Sequence, residues 1–199
     1  MFQLRLRQLT LYLIISLSVG FLAPALAQAR ETYLQFAGRM MSEGAFRPDI
    51  EKALFLKVNA YRAAKGRVQL GLDQSMQFAA RAHAQDMAEH NFVGHVASTG
   101  HDFESRMRAF RGGGMLLLPS LGENAADTKV LDSPDAIAEV LFQEWLHSEE
   151  HRRAMVSNDY VKAAIGVSVL NGKAYADQIF VGSPPHDAGG IFGGLQQQQ

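Results

Sequence analysis

The residues best suited to chemistry in this chain are histidines and carboxylates. No cysteine is present among the 199 residues, so a thiol nucleophile and a disulfide are both excluded. Residues 145–153 read W-L-H-S-E-E-H-R-R and place His147 and His151 four positions apart. A zinc metalloprotease helix needs H-E-x-x-H, with glutamate directly after the first histidine. Ser148 occupies that position, so this stretch does not match the protease motif.

Ser148 is instead predicted to end one helix and to cap the next, its hydroxyl accepting the amide of His151 or one just before it. Glu149 and Glu150 then fall in a first helical turn, where the helix dipole favours negative charge. With the helix broken here, His147 and His151 no longer share a face. We therefore expect His147 at the surface and only His151 in a cleft.

Glu123 is the second notable residue, because it lies in a mostly apolar run, L-L-L-P-S-L-G-E-N-A-A. A carboxylate in such surroundings is unfavourable unless it is solvated, hydrogen-bonded or paired. It could face a cleft, where it would accept from histidines or bind a cation. Alternatively it caps local backbone amides, a structural role that Asn124 could also play. The chain has no G-x-S-x-G elbow, no P-loop and no dinucleotide fingerprint.

The elements that must position these residues are visible as hydrophobic periodicity and caps. Asp73 and Ser133 are predicted N-caps, and Asn171-Gly172 is a strong two-residue hairpin signal. The predicted helices cover 50–65, 73–90 and 134–147, and the predicted strands cover 163–170 and 173–181. Helices followed by a terminal hairpin indicate an α+β fold.

The N-terminus is typical of a secretory signal peptide: a basic start at Arg5 and Arg7, an apolar run, and A-x-A sites ending at Ala27 or Ala29. The rival interpretation is an uncleaved membrane anchor. Cleavage after Ala27 would leave 17 basic against 20 acidic residues, a balance that does not suggest nucleic acid as a partner. It would also leave no membrane span.

The ends of the mature chain are predicted to lie outside the main domain. Residues 28–48 form an N-terminal extension with helical spacing, which is either a docking arm or a loosely held segment. Residues 183–199, rich in glycine and ending in four glutamines, are predicted to be a disordered tail. The principal domain is expected to cover 49–182.

Five pieces of the sequence, taken in order, resemble one known family. They are H-N-F-V-G-H, T-G-H-D-F-E-S-R-M, L-G-E-N-A-A, E-W-L-H-S-E-E-H-R-R-A-M-V-S-N-D-Y and I-G-V-S-V. They look like the bacterial, SCP-like branch of the CAP superfamily, which includes cysteine-rich secretory proteins, antigen 5 and pathogenesis-related proteins. The resemblance covers about residues 50–181. It implies a three-layer α-β-α sandwich with a central antiparallel sheet, and a cleft lined by two histidines and acidic residues.

Carried over residue by residue, the resemblance implies that His95, Glu123 and His151 line the cleft. Two imidazoles and a carboxylate suit a divalent cation of zinc type, with a coordination position left open. These three residues are therefore the predicted metal ligands, and zinc or another divalent cation is the predicted cofactor.

The fourth cleft position departs from the family pattern. Eukaryotic members usually have a second glutamate three residues after the tryptophan, where this chain has Ser148. Glu149 or Glu150 could substitute for it. We expect Asn124, Ser148 and Glu150 to contact a bound ligand.

The resemblance implies a secreted or periplasmic protein that binds a divalent metal or a small ligand, such as a lipid or an envelope component, without catalysis. Two alternatives stay open. One is a secreted metal-dependent hydrolase of protease type, because a metal with an open position can activate water. The other is a cell-envelope protein that binds a partner and keeps only a vestigial cleft.

Overall fold

The structure, a computed structural model, describes residues 31–110 and 120–183. These residues form six helices and a four-stranded sheet, which confirms the predicted α+β class. Two predicted features lie outside the described residues: the signal peptide at 1–27 and the tail from residue 184 onward.

The helices and strands follow local signals in the sequence. The predicted caps are confirmed, since Asp73 accepts from the amide of Ser75 at 3.0 Å and Ser133 accepts from that of Ala136 at 3.1 Å. The helices are α1 Tyr33–Glu43, α2 Pro48–Ala64, α3 Gln74–His90, α4 Phe103–Phe110, α5 Pro134–His147 and α6 Glu149–Val156. The strands are β1 Gly71–Leu72, β2 Leu121–Lys129, β3 Tyr160–Leu170 and β4 Lys173–Gly182.

The strand order in the sheet is β1-β3-β4-β2. β3 and β4 form the predicted hairpin, and its two turn residues, Asn171 and Gly172, have φ of 50° and 76°, as a tight two-residue turn requires. The three long strands are antiparallel, and the two-residue β1 adds a parallel edge beside β3, so the sheet is mixed. Asn59 fixes the path into β1 through two hydrogen bonds to the backbone of Leu70, at 2.7 and 3.0 Å.

Helices cover both faces of the sheet, as the predicted three-layer sandwich requires. On one face α3 and α4 pack on the sheet through Met76, Ala79, Ala80, Met107, Ala164 and Ile179. On the other face α2 and α5 bury a larger cluster that includes Ile50, Leu54, Leu141, Trp145, Ile165 and Phe180. The free edge of β2 lies between the two helical layers, and the candidate site is built there.

The N-terminal helix α1 packs against α3. Tyr33, Phe36 and Met40 are buried on its inner face, together with Ala82 of α3. A capping box at Thr32 and Gln35 starts the helix. This part of the N-terminal extension is therefore docked on the main body.

None of the helices in residues 31–110 and 120–183 combines the length and the hydropathy needed to cross a bilayer.

Candidate functional site

His95 lies in the loop between α3 and α4, and buried polar groups hold that loop from below. His83 Nε2 donates to the carbonyl oxygen of Gly94 at 2.8 Å, and Arg106 Nη2 donates to that of His95 at 3.2 Å. His83 is fully buried on α3 and is thus a hydrogen-bonded core histidine. The backbone on both sides of the His95 side chain is thereby fixed.

The imidazole of His95 pairs with the carboxylate of Glu123, with 2.8 Å between Nδ1 and Oε2. The His95 side chain is 51% exposed, whereas that of Glu123 is 2% exposed. The hydrogen bond to Glu123 raises the pKa of His95 above its usual value. Because Nδ1 carries the proton toward Glu123, Nε2 is the nitrogen left for the cleft.

Arg106 of α4 holds Glu123 from the buried side. Its Nη2 donates to Oε1 at 2.6 Å and to Oε2 at 2.8 Å, and the whole residue is inaccessible to solvent. Burial acts to raise the pKa of Glu123, but the hydrogen bond from His95 and the charge of Arg106 outweigh it, so this pKa is lowered. Glu123 is therefore an anion at neutral pH.

His151 approaches His95 from the other side of β2. α5 ends at His147, α6 begins at Glu149, and Ser148 Oγ accepts from the amide of His151 at 3.4 Å, so the predicted break and cap are confirmed. The rings of His95 and His151 lie edge to face, with their centroids 6.3 Å apart. Burial, followed by the neighbouring His95 charge, lowers the pKa of His151. The imidazole of His151, which favours the neutral form, thus faces that of His95, which keeps its proton more readily.

The three residues expected to contact a ligand differ in position. Ser148 lines the open groove beside His151, and Glu150 is exposed, with a negative charge that favours the protonated form of both cleft imidazoles. Asn124 is buried instead, and its Nδ2 donates to the carbonyl oxygen of His151 at 3.4 Å. Asn124 therefore joins β2 to α6 from beneath the cleft.

The groove beside His151 has a volume of about 390 Å³. Its lining residues are Val93, Ala125, Ala126, Asp127, Glu144, His147, Ser148 and His151. His147 is exposed, as expected, and it borders this groove at the end of α5, although the groove is lined by neither His95 nor Glu123. The two histidines reach it from separate helices, so the H-E-x-x-H geometry is still absent.

A third histidine lies behind this site. Ligand atoms of His83, Glu123 and Asp177 all lie within 4.8 Å of one another, between α3 and the sheet. Burial, then the charge of Glu123, raises the pKa of Asp177 well above its usual value. The donor types in this inner group suit a metal ion, but the Arg106 guanidinium on Glu123 opposes a cation there. Among the described residues, the ligand atoms of the predicted set His95, Glu123 and His151 do not all lie within 4.8 Å of one another.

Sequence reasoning missed Arg106 and Asp177. A signal for Arg106 was present, because Phe103, Arg106, Met107 and Phe110 share one face of α4 by their spacing. An arginine on an apolar face needs a buried acceptor or a carboxylate. Asp177 gave no comparable signal, since it lies inside a strand whose residues are buried on both faces.

Comparison with known proteins identifies relatives of this chain. The family described as "CAP: Cysteine-rich secretory protein family" matches residues 55–183. Two proteins of Bacillus subtilis align with 66% of the chain. The uncharacterized membrane protein YlbC is 30% identical over 131 residues, 34% of its length. The uncharacterized protein YkwD is 29% identical over 133 residues, 47% of its length. The chain thus spans less than half of either relative.

Two solved structures share the fold. One is an extracellular protein from Bacillus anthracis that contains an SCP domain; it has a TM-score of 0.55 and 22% identity, and the match covers 73% of this chain and 43% of that one. The other is an outer surface protein from Borrelia burgdorferi, with a TM-score of 0.57 and 16% identity over 70% of this chain and 98% of that one.

Proposed function

This chain belongs to the CAP, or cysteine-rich secretory protein, family, and on that premise we propose that it is a secreted, non-catalytic binding module whose cleft holds a divalent cation. The main observation that supports this proposal is the edge-to-face pair of His95 and His151, with ring centroids 6.3 Å apart. Two imidazoles that share a zinc ion through bonds of ~2.0–2.1 Å place their centroids roughly 5–6 Å apart. The observed 6.3 Å is slightly longer, so the two rings would have to move closer to share a cation.

The nitrogen atoms support this assignment. His95 Nδ1 is engaged by Glu123, which leaves Nε2 as the ligand atom. His151 Nδ1 is buried and has no hydrogen-bond partner among the described residues, and its lowered pKa keeps the ring neutral, as a metal ligand must be.

For Glu123 we propose a different role from that of a direct ligand. Both of its oxygens already accept from Arg106, and one also accepts from His95. A carboxylate that receives the second ring N–H of a metal-bound histidine fixes its tautomer and raises its basicity. Glu123 would thus orient His95, while the exposed Glu150 is the carboxylate available to the cation or to its ligand.

The same geometry supports binding rather than hydrolysis. A hydrolase would need a carboxylate free to accept a proton from water. The pKa of Glu123 is lowered and its oxygens are occupied, so it is a poor base, and the exposed Glu150 is assigned to the cation or to its ligand. The groove of about 390 Å³ beside His151 offers room for a small ligand that completes the coordination of the cation.

Secretion to the medium or the periplasm is part of the proposal, and it is supported by the N-terminal pattern at residues 1–27. The two structural neighbours are an extracellular protein and an outer surface protein, which is in keeping with secretion. We expect N-terminal sequencing of exported protein to begin at Gln28 or Arg30; a chain still starting at Met1 would indicate an anchor instead.

The metal prediction is tested by thermal and urea unfolding with and without Zn²⁺ at pH 8. Only the folded state assembles the site, so zinc should stabilise it by a further ~1.4 kcal/mol per tenfold concentration above the Kd. His95→Ala and His151→Ala should abolish this gain, and Glu123→Gln should weaken the affinity by about 10–100-fold. As the pH is lowered, the stabilisation by zinc should begin to disappear while the pH is still above about 6.5. The reason is that the pKa of His95 is raised, so its proton competes with the metal.

Two controls decide where the cation lies. His101→Ala removes a half-buried loop imidazole that packs against Tyr33, away from the cleft, and should leave the zinc response unchanged. Asp177→Asn, which alters the inner group without touching the loop of His95, should also leave it unchanged; loss of the response in that variant alone would place the cation in the inner group. An identical response in wild type and His95→Ala would refute the cleft site. Zinc-dependent peptide hydrolysis that is lost in His95→Ala would favour the hydrolase alternative.

A further inference from the structure

A second groove lies on the opposite side of α6, against the C-terminal end of α2. Its volume is about 430 Å³. The α6 residues that line it share one helical face by their spacing, and His151 points away from that face. The lining residues are Tyr61, Lys65, Arg67, Glu149, Arg152, Arg153 and Val156. The groove is thus separate from the cleft, although both use α6.

The groove concentrates positive charge. Four of its seven lining residues are basic and one is acidic, in a chain whose 19 basic and 20 acidic residues nearly balance. The acidic one, Glu149, is only loosely paired, with 3.7 Å between its Oε1 and Arg153 Nη1. Lys65 Nζ lies 5.4 Å from the centre of the Tyr61 ring. Within residues 31–110 and 120–183, Lys65, Arg67 and Arg152 form no salt bridge.

A buried cation adjoins this groove. Arg62 of α2 is 1% exposed, and its guanidinium donates to the carbonyl oxygens of Val68 at 2.8 Å, Met155 at 2.6 Å and Ser157 at 3.0 Å. All of these acceptors are neutral, so among the described residues its charge has no carboxylate partner. Burial, followed by the charge of Arg67, lowers the pKa of Arg62. An anion in the groove would relieve this repulsion.

Arg67 offers a specific donor to such an anion. Its Nε is buried and has no hydrogen-bond partner within the described residues. A buried N–H without an acceptor is unfavourable, and Arg67 is one of the residues that line the groove. Arg152 is held in place, since its Nη1 donates to the carbonyl oxygen of Leu146 at 2.6 Å, which leaves its other nitrogens for a ligand.

We propose that this groove binds a phosphate group, either as the free ion or as the headgroup of an anionic phospholipid. Guanidinium groups match phosphate oxygens in pairs, and a doubly charged anion balances a cluster of this strength better than a single carboxylate does. The groove would give the protein a second binding function, independent of the cation in the cleft.

The first test titrates full-length protein with inorganic phosphate at constant ionic strength and follows amide chemical shifts by NMR. Shifts should concentrate at residues 65–68 and 149–153. The Arg67→Gln/Arg153→Gln variant should bind at least about tenfold more weakly, from the loss of two charge-assisted hydrogen bonds. The matched control is Arg39→Gln/Arg108→Gln, which removes equal charge from exposed pairs with Glu31 and Glu104.

The second arm measures sedimentation with phosphatidylcholine vesicles that contain or lack phosphatidylglycerol. Binding of phosphate alone identifies the free ion, and binding only to phosphatidylglycerol vesicles identifies the headgroup; either result, if lost in the groove variant and kept in the control, supports the proposal. Equal losses in both variants would reduce the effect to net charge and overturn it. The absence of binding to both probes by wild type would overturn it as well.

Discussion

Replacing Arg106 by methionine should lower the free energy of unfolding by about 3–5 kcal/mol at pH 7, because it leaves a buried carboxylate without its charge partner. Arg106 is inaccessible to solvent, and it holds both oxygens of Glu123, whose side chain is 2% exposed. Urea denaturation measures the change. Arg108→Met, which removes an exposed arginine paired with Glu104, is the control and should have little effect.

The pH dependence of this loss has a definite sign. The pKa of Glu123 is lowered in the folded protein, so its ionised form stabilises the fold above its unfolded pKa of about 4.3, and that stability disappears as pH falls through the folded value. In Arg106→Met, burial instead favours the protonated acid. The difference between the two proteins should therefore be greatest at neutral pH and shrink on acidification.

The double variant Arg106→Met/Glu123→Gln provides the rescue. Removing both charges avoids a buried ion without a partner, so the double variant should regain much of the stability that Arg106→Met loses. If the double variant is no more stable than the single one, the loss comes from packing of α4 and not from the ion pair.

Gly166→Ala should be the most damaging small substitution in the sheet, with a loss of about 3 kcal/mol or more. Gly166 lies in β3 beneath α3, and an added Cβ would overlap the backbone of Ala80 and Arg81. Backbone cannot rotate away as a side chain can, so α3 would have to lift from the sheet. Since α3 carries His83, which holds the loop of His95, the zinc response should weaken as well.

A glycine in the neighbouring strand is the control. A Cβ on Gly71 of β1 meets its nearest atom, Cγ of Lys162, at 3.6 Å, which is ordinary van der Waals contact. Gly71→Ala should be neutral or stabilise the protein by about 0.4–1 kcal/mol, by restricting the unfolded chain. Similar melting temperatures for the two variants would contradict the close packing of α3 on β3.

The sequence predicted the elements that carry strong local signals. Ser133 with Pro134 marks the start of α5, Ser148 marks the start of α6, and Asn171-Gly172 marks the hairpin, because each of these positions depends on backbone groups only a few residues away. The family motifs then indicated that His95 and His151 belong to one cleft. The 6.3 Å between their ring centroids shows that the two segments do meet.

Long-range features were not predictable in the same way. β2 reads L-G-E-N-A-A-D-T-K, which lacks both β-branched alternation and an apolar run, and it becomes a strand only because β4 supplies hydrogen bonds along its whole length. The contact of Arg106 with Glu123 joins α4 to β2, and the group of His83, Glu123 and Asp177 joins α3 to two strands. No local pattern encodes such pairings.

The two-residue turn between β3 and β4 also bears on the order in which the molecule is built. A hairpin of neighbouring strands closes with little loss of chain entropy, whereas β2 can reach β4 only after α5, α6 and β3 have been brought back across the sheet. The cleft borders β2, so it belongs to the part of the molecule that assembles late. Substitutions at His95 or Glu123 should then speed unfolding in stopped-flow experiments while refolding keeps its rate. A binding site in this late-assembling region can therefore be altered by mutation without slowing the folding of the protein.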